Sequence, residues 1–150
     1  MKKYMDEKWD YRFLGLAKYI SQWSKDPSTQ TGAVIVDHNQ RVVSIGYNGF
    51  PRGIKDDERL EDREAKYRII VHCERNALLF ANRSLENCAL YTYPMMSCSV
   101  CAAMVIQSGI IRCVAPEANE EKLERWGDDF IIAKDLFREA GVQLDLYRSS

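Results

Sequence analysis

The run Gly32-Ala33-Val34-Ile35-Val36 decides the fold of this 150-residue chain. Five consecutive small or apolar residues are typical of a β-strand that is buried on both faces, because a half-exposed strand alternates apolar and polar residues. Asp37-His38-Asn39-Gln40 favours a turn, and Arg41 to Tyr47 is the predicted returning strand of a hairpin. We therefore expect this strand to lie inside a sheet that helices cover.

Helical and extended patterns alternate on both sides of the hairpin. Before it, apolar residues at helical spacing predict a first helix, namely Trp9, Phe13, Leu16, Ile20 and Trp23. After it, the predicted elements are, in order, a helix over 72–82, a strand over 89–93, a helix over 99–108, a strand over 111–115, a helix that Gly141 caps and an edge or half-exposed strand over 142–146. These elements predict an α/β fold, with a five-stranded mixed sheet flanked by helices, in one domain over residues 1–150.

The segment over 54–67 is dense in alternating charges, as in Lys55-Asp56-Asp57-Glu58-Arg59. Such a run predicts a solvated helix or a lid. Asn48-Gly49-Phe50-Pro51 before it can continue neither a helix nor a central strand, because glycine and proline interrupt both. This part of the chain is therefore expected to form loops and a surface helix.

The composition excludes several classes of protein. Apolar residues make up 46% of the chain and the formal net charge is −1, which argues against disorder and against a broad electrostatic contact with nucleic acid. No apolar stretch approaches the roughly 20 residues of a membrane span, and the N-terminus lacks the apolar core of a signal peptide. Five cysteines in such a chain predict reduced thiols or metal ligands, and therefore a cytoplasmic protein.

Two short motifs carry the chemistry. His72-Cys73-Glu74 and Cys98-Ser99-Val100-Cys101 supply one imidazole and two thiolates, enough to hold zinc through His72, Cys98 and Cys101. Three protein ligands leave the fourth zinc position open, as hydrolytic sites do and structural sites usually do not. Glu74 lies two residues beyond His72, where it can move protons without binding the metal. The combination matches the motif of zinc-dependent nucleobase deaminases.

Either motif alone is weak. A His-x-Glu sequence occurs by chance on surface helices, and a Cys-x-x-Cys pair after a strand and before a helix is also typical of a redox dithiol. The redox hypothesis leaves His72 and Glu74 without a function, and the chain lacks the aromatic-Cys-Gly-Pro-Cys sequence of such sites. The combined metal site is therefore the prediction.

Together, the motifs resemble the deoxycytidylate (dCMP) deaminase family of the cytidine deaminase-like superfamily. The matching stretches follow the family's order and are 24–30, 32–36, 46–51, 72–77 and 98–110. The resemblance implies a three-layer α/β/α fold and a hydrolase that converts dCMP to dUMP with release of ammonia. It also implies a homo-oligomer that is most often a hexamer, and dCTP and dTTP as possible effectors. Some relatives carry a second, structural zinc on Cys and His before the catalytic His, but residues 49–71 contain neither type, so the prediction is one zinc per chain.

The resemblance also assigns substrate contacts. Asn48 is expected to contact the sugar, Ser24 and Lys25 the 5′-phosphate, and Cys73 the base through its backbone N–H. Ala33 completes the predicted substrate-binding set. Two alternatives stay open: Asn48 can serve the turn alone, and Lys25 can be a solvated loop cation.

The chain departs from the family pattern at two positions. Cys73 stands where the family commonly has alanine, which permits either a packed thiol or an additional ligand. Ser97 stands where the family has proline before the first Cys, and its hydroxyl is expected to cap the following helix. The shape of the pocket wall at Met95 and Met96, and with it the substrate, is left open.

Two other functions compete with dCMP deamination. One is a deaminase of the same fold that acts on another free nucleoside or nucleotide, such as cytidine, dCTP or a modified or purine nucleotide. The other is a non-catalytic zinc-binding module, which would not need Glu74. Deamination of nucleic acid is disfavoured, because no basic stripe with interleaved aromatic residues is present.

Overall fold

The computed structural model describes residues 6–148. Within them the helices are α1 (Glu7–Ser21), α2 (Arg63–Ile69), α3 (Cys73–Leu79), α4 (Ser99–Gln107) and α5 (Glu120–Ala140). The strands are β1 (Gly32–Val36), β2 (Val42–Tyr47), β3 (Ala89–Tyr93), β4 (Arg112–Pro116) and β5 (Gln143–Tyr147). A short 3-10 helix, Glu58–Leu60, precedes α2.

The strands form one mixed sheet in the order β2-β1-β3-β4-β5. β1 is antiparallel to both β2 and β3, whereas β3, β4 and β5 are parallel to one another. The predicted five-stranded mixed sheet is confirmed, and β5 is an edge strand as expected. β1, the fully buried strand of the hairpin, lies between β2 and β3.

Helices cover both faces of the sheet, which confirms the three-layer α/β/α architecture. Val34 and Val36 of β1 pack with α1, in a cluster that includes Phe13. The intervening residues Ala33 and Ile35 face the opposite side, in a larger cluster with buried residues of α3, α4 and α5. The alternation within β1 therefore separates two apolar cores, and both motif-bearing helices lie over the same face of the sheet.

Two glycines allow helices to approach the hairpin closely. A Cβ atom at Gly46 would lie 2.3 Å from the carbonyl oxygen of Cys73, and one at Gly32 would lie 2.1 Å from that of Ala17. Both distances are shorter than any side chain tolerates, and the neighbouring atoms belong to helix backbones. Gly46 therefore sets the distance between β2 and α3, the helix that begins the metal motif.

Helix lengths differ from the predictions at two places. α1 ends at Ser21, so that Trp23 lies beyond the helix and is exposed, although the apolar spacing placed it in the stripe. α3 is shorter than the predicted 72–82 and ends at Leu79. Its N-cap is His72, and the chain leaves the helical conformation before Asn82, whose φ is positive.

A buried network of charged and aromatic side chains joins α1 to the far strands. The guanidinium of Arg112 on β4 donates to Asp10 on α1 at 2.6 and 2.9 Å and to Asp145 on β5 at 2.8 Å. The hydroxyls of Tyr91 and Tyr147 also donate to Asp10. Asp145 is buried. The alternation of polar and apolar residues in β5, which predicted an edge or half-exposed strand, did not show that this carboxylate faces the interior.

Within residues 6–148, no helix combines the length and the apolar character needed to cross a membrane.

Candidate active site

A cavity opens at the edge of the sheet where β1 begins and where β2 and β3 end. The register places this edge, because Gly32 pairs with both Tyr47 and Tyr93. The loops that follow β2 and β3, and the starts of α3 and α4, meet here. The cavity is lined by Asp26, Ser28, Thr29, Thr31, Asn48, Lys66, Tyr67, Ile70, His72, Cys73, Glu74, Met95, Met96, Cys98, Arg125, Trp126 and Phe130.

The predicted metal ligands converge beside this cavity: His72 and Cys98 line it, and the buried Cys101 lies next to them. The Nδ1 atom of His72 lies 3.6 Å from Sγ of Cys98 and 3.2 Å from Sγ of Cys101. All three donor atoms lie within 4.8 Å of one another. In a tetrahedral zinc site, a Zn–N distance of about 2.05 Å and a Zn–S distance of about 2.3 Å separate such donors by about 3.6 Å. One imidazole nitrogen and two cysteine sulfurs at this spacing therefore fit a zinc ion.

Helix starts orient the two sulfur ligands. Cys98 is the N-cap of α4, and its sulfur accepts the backbone N–H of Cys101 at 3.5 Å. The predicted cap at Ser97 is wrong, because the chain begins the helix one residue later and the ligand sulfur occupies the capping position. The hydrogen bond from the Cys101 thiol lowers the pKa of Cys98 to about 4, while the same bond and burial raise the pKa of Cys101. Cys98 is accordingly a thiolate that is ready to bind a cation.

Glu74 lies beside the ligands and is almost completely buried in the cavity wall. The thiol of Cys73 donates to its Oε1 atom at 3.1 Å. Burial and the neighbouring Glu74 raise the pKa of Cys73 well above its usual range, so that the thiol keeps its proton. Cys73 is outside the three-donor cluster, and its thiol instead contacts the Glu74 carboxylate.

Asn48 reaches the cavity but most of its amide is already engaged. Its Nδ2 group donates to Asp26 Oδ2 at 3.3 Å and to the carbonyl of Thr29 at 2.9 Å. Its Oδ1 atom accepts the backbone N–H of Thr31 at 2.8 Å. The Ser24 hydroxyl donates to the carbonyl of Asn48 at 2.8 Å. These bonds fix the loop before β1 against the end of β2, and they leave Oδ1 with one acceptor site.

Three of the predicted substrate residues do not line the cavity. Ser24 is buried beneath the loop that it holds together. Lys25 is exposed and forms an ion pair with Asp56 at 3.1 Å. Ala33 is fully buried in the core below. The structure brings Asn48 and Cys73 to the cavity and leaves the other three outside its wall.

A buried ion pair supports the loop from the other side. Lys66 on α2 contacts Asp26 at 2.9 Å, and the side chains of both residues are about 6% exposed. For the segment over 54–67, the prediction of a solvated helix is wrong at Lys66, which α2 places in the cavity wall, and the alternative of a lid stays a prediction. A pattern of alternating charges along the sequence does not show which cation forms an ion pair with a carboxylate in a distant loop.

The sequence of this chain matches a family of known proteins. The family description "Cytidine and deoxycytidylate deaminase zinc-binding region" matches residues 7–117, well over half of the chain. The chain belongs to this family. Its members bind zinc, and His72, Cys98 and Cys101 are the residues that can hold one ion here.

Individual deaminases agree with this assignment. An uncharacterized deaminase in the luxG 3′ region of Aliivibrio fischeri is 46% identical over 140 residues, which cover 93% of this chain and 94% of that protein. Deoxycytidylate deaminase of Homo sapiens is 33% identical over 141 residues, covering 89% of this chain and 76% of that protein. The crystal structure of dCMP deaminase from the cyanophage S-TIM5, in complex with dCMP and dUMP, superposes with a TM-score of 0.76. It covers 95% of this chain and 99% of that one at 20% identity, and therefore shows a shared fold.

The deaminase site contains a cation that the sequence did not reveal. Arg75 is next to Glu74 on α3, and its Nε atom is buried without a hydrogen-bond partner within residues 6–148. Burial disfavours the charged guanidinium, but the sulfurs of Cys101 and Cys98 outweigh this and raise the pKa of Arg75. A permanent positive charge thus lies beside the sulfur ligands, where it withdraws electron density from them.

The opposite wall of the cavity comes from α5 and from the loop after β3. Met95 and Met96 follow the cis peptide bond between Tyr93 and Pro94, and both line the cavity. Trp126 and Phe130 of α5 belong to the same lining. A lining of thioethers and aromatic rings suits a flat heterocycle. The helical spacing of apolar residues in α5 did not predict that Trp126 and Phe130 line the same cavity as the metal ligands.

Proposed function

We propose that this chain is a zinc-dependent hydrolase that deaminates the cytosine ring of dCMP, releasing dUMP and ammonia. The observation that carries this proposal is the placement of Glu74 in the same cavity wall as His72 and Cys98, which form a three-donor cluster with Cys101. The relationship to the deoxycytidylate deaminases supports dCMP in particular. A metal site that served structure alone would have no use for a buried carboxylate beside its open position.

The chemistry divides between the metal and Glu74. Zinc, when these three ligands bind it, supplies a water molecule of lowered pKa at the base of the cavity. Glu74 accepts a proton from the attacking water and gives it to ring nitrogen N3, because the ring must take up an electron pair as the C4–O bond forms. Glu74 then carries the second proton to the C4 amino group, the C4–N bond breaks, and ammonia leaves. Water is consumed and a uracil ring remains.

The remaining cavity residues hold the nucleoside. The backbone N–H of Cys73 is proposed to serve the base, and its thiol fixes the rotamer of Glu74 through the 3.1 Å contact. The free acceptor site on Oδ1 of Asn48 is proposed to take a hydroxyl of the deoxyribose. Met95, Met96 and Trp126 then enclose the ring and exclude bulk water. Exclusion of water strengthens each electrostatic contact around the reacting atoms.

A substrate panel tests this proposal. Ammonia release is measured from dCMP, deoxycytidine, cytidine, dCTP, dAMP, dGMP and single-stranded DNA, with the zinc-loaded Glu74→Gln variant as the background control. We expect dCMP to give the highest kcat/KM. Higher activity on a purine nucleotide or on a nucleoside would show that dCMP is not the preferred substrate. No activity on any of these compounds would favour the hypothesis of a non-catalytic zinc-binding module.

Assembly, location and regulation extend the proposal. We infer a homo-oligomer, with a hexamer as the expected form, because the family resemblance implies it and because apolar side chains on α3 and α4 are exposed: Leu79, Phe80, Val100 and Met104. Sedimentation at micromolar concentration tests this, and a stable monomer would contradict it. The five free cysteines support a cytoplasmic enzyme. Adding dCTP or dTTP to the dCMP assay tests the proposed effectors.

A further inference from the structure

The carboxylate of Asp26 is the centre of a hydrogen-bonded group in the wall of the metal cavity. Its Oδ1 atom accepts the Lys66 ammonium at 2.9 Å and the backbone N–H groups of Ser28 and Thr29 at 2.8 and 3.3 Å. Its Oδ2 atom accepts the Nδ2 group of Asn48 at 3.3 Å. Asp26, Asn48 and Lys66 are buried, and all three line the cavity. One carboxylate thus connects α2, the loop before β1 and the end of β2.

The hydrogen bonds of this group allow the Asn48 amide one orientation. Its nitrogen donates to Asp26 and to the carbonyl oxygen of Thr29, and its oxygen accepts the backbone N–H of Thr31. A reversed amide would bring its N–H groups against the Thr31 N–H and its oxygen against two acceptors. Both N–H groups are therefore engaged, and the atom that remains available to a ligand is the oxygen.

Lys66 neutralises the carboxylate to which Asn48 donates. Asp26 is the ion-pair partner of Lys66 within residues 6–148, and both side chains are about 6% exposed. Without this cation the carboxylate would keep an uncompensated charge in the interior, and the loop that it holds would have to rearrange. A buried ion pair adds little stability compared with apolar side chains of the same size. Its position in the cavity wall therefore indicates a role in arranging the groups around it.

The residue after Asn48 connects this group to the metal ligands. Gly49 exchanges two backbone hydrogen bonds with Val71, at 3.1 and 2.8 Å. Val71 directly precedes the ligand His72, and Lys66 lies on α2, the helix that leads into this segment. The Asn48 oxygen therefore has a defined position relative to the metal ligands and Glu74.

We propose that Lys66 and Asp26 are positioning residues, which fix the oxygen of Asn48 towards the sugar and so select substrates that carry a free 3′-hydroxyl. This inference rests on the proposed function, in which the second acceptor site of that oxygen takes a hydroxyl of the deoxyribose. A 2′-deoxynucleoside 5′-phosphate has one free sugar hydroxyl, at C3′, and this hydroxyl can donate to an amide oxygen. An acceptor that is already held in place needs no rearrangement when the ligand arrives, which lowers the cost of binding.

Matched substrates and matched variants test the inference. We measure kcat and KM for dCMP and for 2′,3′-dideoxycytidine 5′-monophosphate in the wild type, Lys66→Met, Lys66→Arg and the double variant Lys66→Met/Asp26→Leu. Urea unfolding of each protein is measured in parallel. The control is Lys25→Met, which removes the exposed ion pair with Asp56 at the neighbouring position of the same loop. One hydrogen bond between neutral groups corresponds to a preference of about 2- to 13-fold in kcat/KM.

The wild type is expected to prefer dCMP over the dideoxynucleotide within that range. Lys66→Met should abolish this preference and should raise KM for dCMP more than it lowers kcat. Lys66→Arg should keep part of the preference, and Lys25→Met should keep all of it.

The double variant separates positioning from stability. Two apolar side chains remove the uncompensated charge, so part of the stability lost in Lys66→Met should return, whereas the preference should stay lost because Asn48 has no carboxylate to hold it. The double variant also carries the test if Lys66→Met does not fold. Wild-type preference in Lys66→Met, its return in the double variant, or a wild type that does not distinguish the two nucleotides would each overturn the inference. A wild type that deaminates neither nucleotide would instead overturn the proposed function.

A binding measurement separates recognition from chemistry. Calorimetric titration of the wild type should show tighter binding of dUMP than of 2′,3′-dideoxyuridine 5′-monophosphate, and Lys66→Met should remove that difference. If Lys66→Met distinguished the two products as the wild type does, other groups would hold the hydroxyl and the inference would be wrong.

Discussion

Asp129 of α5 accepts two hydrogen bonds from Ser99, one from the backbone N–H at 2.8 Å and one from the hydroxyl at 2.6 Å. Ser99 is the first residue of α4 and directly follows the metal ligand Cys98. The helix that forms the substrate wall is therefore fastened to the first turn of the helix that carries the two sulfur ligands. A carboxylate at a helix N-terminus is also favoured by the helix dipole.

Removing this connection should weaken the metal site. Asp129→Ala leaves the N-terminal N–H of α4 without its acceptor, so we expect a loss of roughly 1–3 kcal/mol in the free energy of unfolding and weaker zinc binding. Urea unfolding and competition with a zinc chelator measure the two effects. Asp128→Ala is the matched control, because Asp128 is the exposed neighbour on the same helix and should change neither quantity. Equal effects of the two substitutions would contradict the role of Asp129.

Substitution can distinguish the function of Glu74 from that of the metal ligands. Glu74→Ala removes the proton carrier and leaves all three donors in place, so zinc content should stay at one per chain while kcat falls by roughly 10²–10⁴-fold. Metal analysis and ammonia release on the same sample check both statements. Substantial turnover in the zinc-loaded variant would show that another group moves the protons.

In contrast to Glu74→Ala, substitution of a zinc-binding cysteine should reduce the zinc content. Cys98→Ala or Cys101→Ala removes one of three donors, so each variant should lose zinc and, with it, the stability that metal binding adds. Cys88→Ala is the control for removing a buried thiol, since Cys88 is also buried but lies outside the donor cluster. It should keep one zinc per chain. A wild type with two tightly held zinc ions would contradict the prediction of a single site.

The buried network around Asp10 predicts a specific dependence of stability on pH. Burial alone would raise the pKa of Asp10, but hydrogen bonds from Arg112, Tyr147 and Tyr91 outweigh it and lower the pKa below the model-peptide value. A folded-state pKa below the unfolded one adds stability above about pH 4, and this stability is lost as pH falls through the folded value.

Asp10→Asn should therefore be less stable than the wild type by roughly 3–5 kcal/mol at pH 7, because the substitution leaves Arg112 partly unpaired in the interior. The difference should begin to shrink as the pH falls below about 4, where Asp10 of the unfolded wild type takes up a proton, and it should go on shrinking until the folded carboxylate is also protonated. Urea unfolding of both proteins at pH 7, 5 and 3.5 measures it, and comparison at each pH cancels any shared loss of zinc. A constant difference across these values would show that the charge of Asp10 contributes nothing.

The fold and the metal site could be predicted because both depend on local patterns. A five-residue apolar run predicts a buried strand, and the His-x-Glu and Cys-x-x-Cys motifs bring a specific donor set to helix starts. The edge of the sheet at which those starts meet follows from the connectivity of the hairpin. These features need only the alternation of a strand, the period of a helix and the coordination of zinc.

The substrate side could not be predicted in the same way, because it depends on contacts between distant segments. Lys25 and Lys66 are both cations in polar stretches, yet one is exposed beside Asp56 and the other is buried against Asp26. Arg125 lies among charged residues on the exposed side of a long helix pattern, and only the packing of α5 against α4 brings it to the cavity. Sequence periodicity gives the face of a helix but not the partner that the face meets.

The position of α5 affects which residues can be substituted to change the ligand preference of such an enzyme. The residues proposed to perform the reaction lie between 72 and 101, whereas the helix that forms one wall of the cavity lies beyond residue 117, where the family match ends. New side chains at 125 or 126 can therefore redirect the enzyme to a different nucleotide without altering the metal donors or Glu74. Asp129 joins the two parts by hydrogen bonds, and Phe130, Ala133 and Phe137 of α5 pack in the same core as α3 and α4. As long as this anchor is retained, the ligand preference of the scaffold can be engineered on a single helix, independently of its reaction.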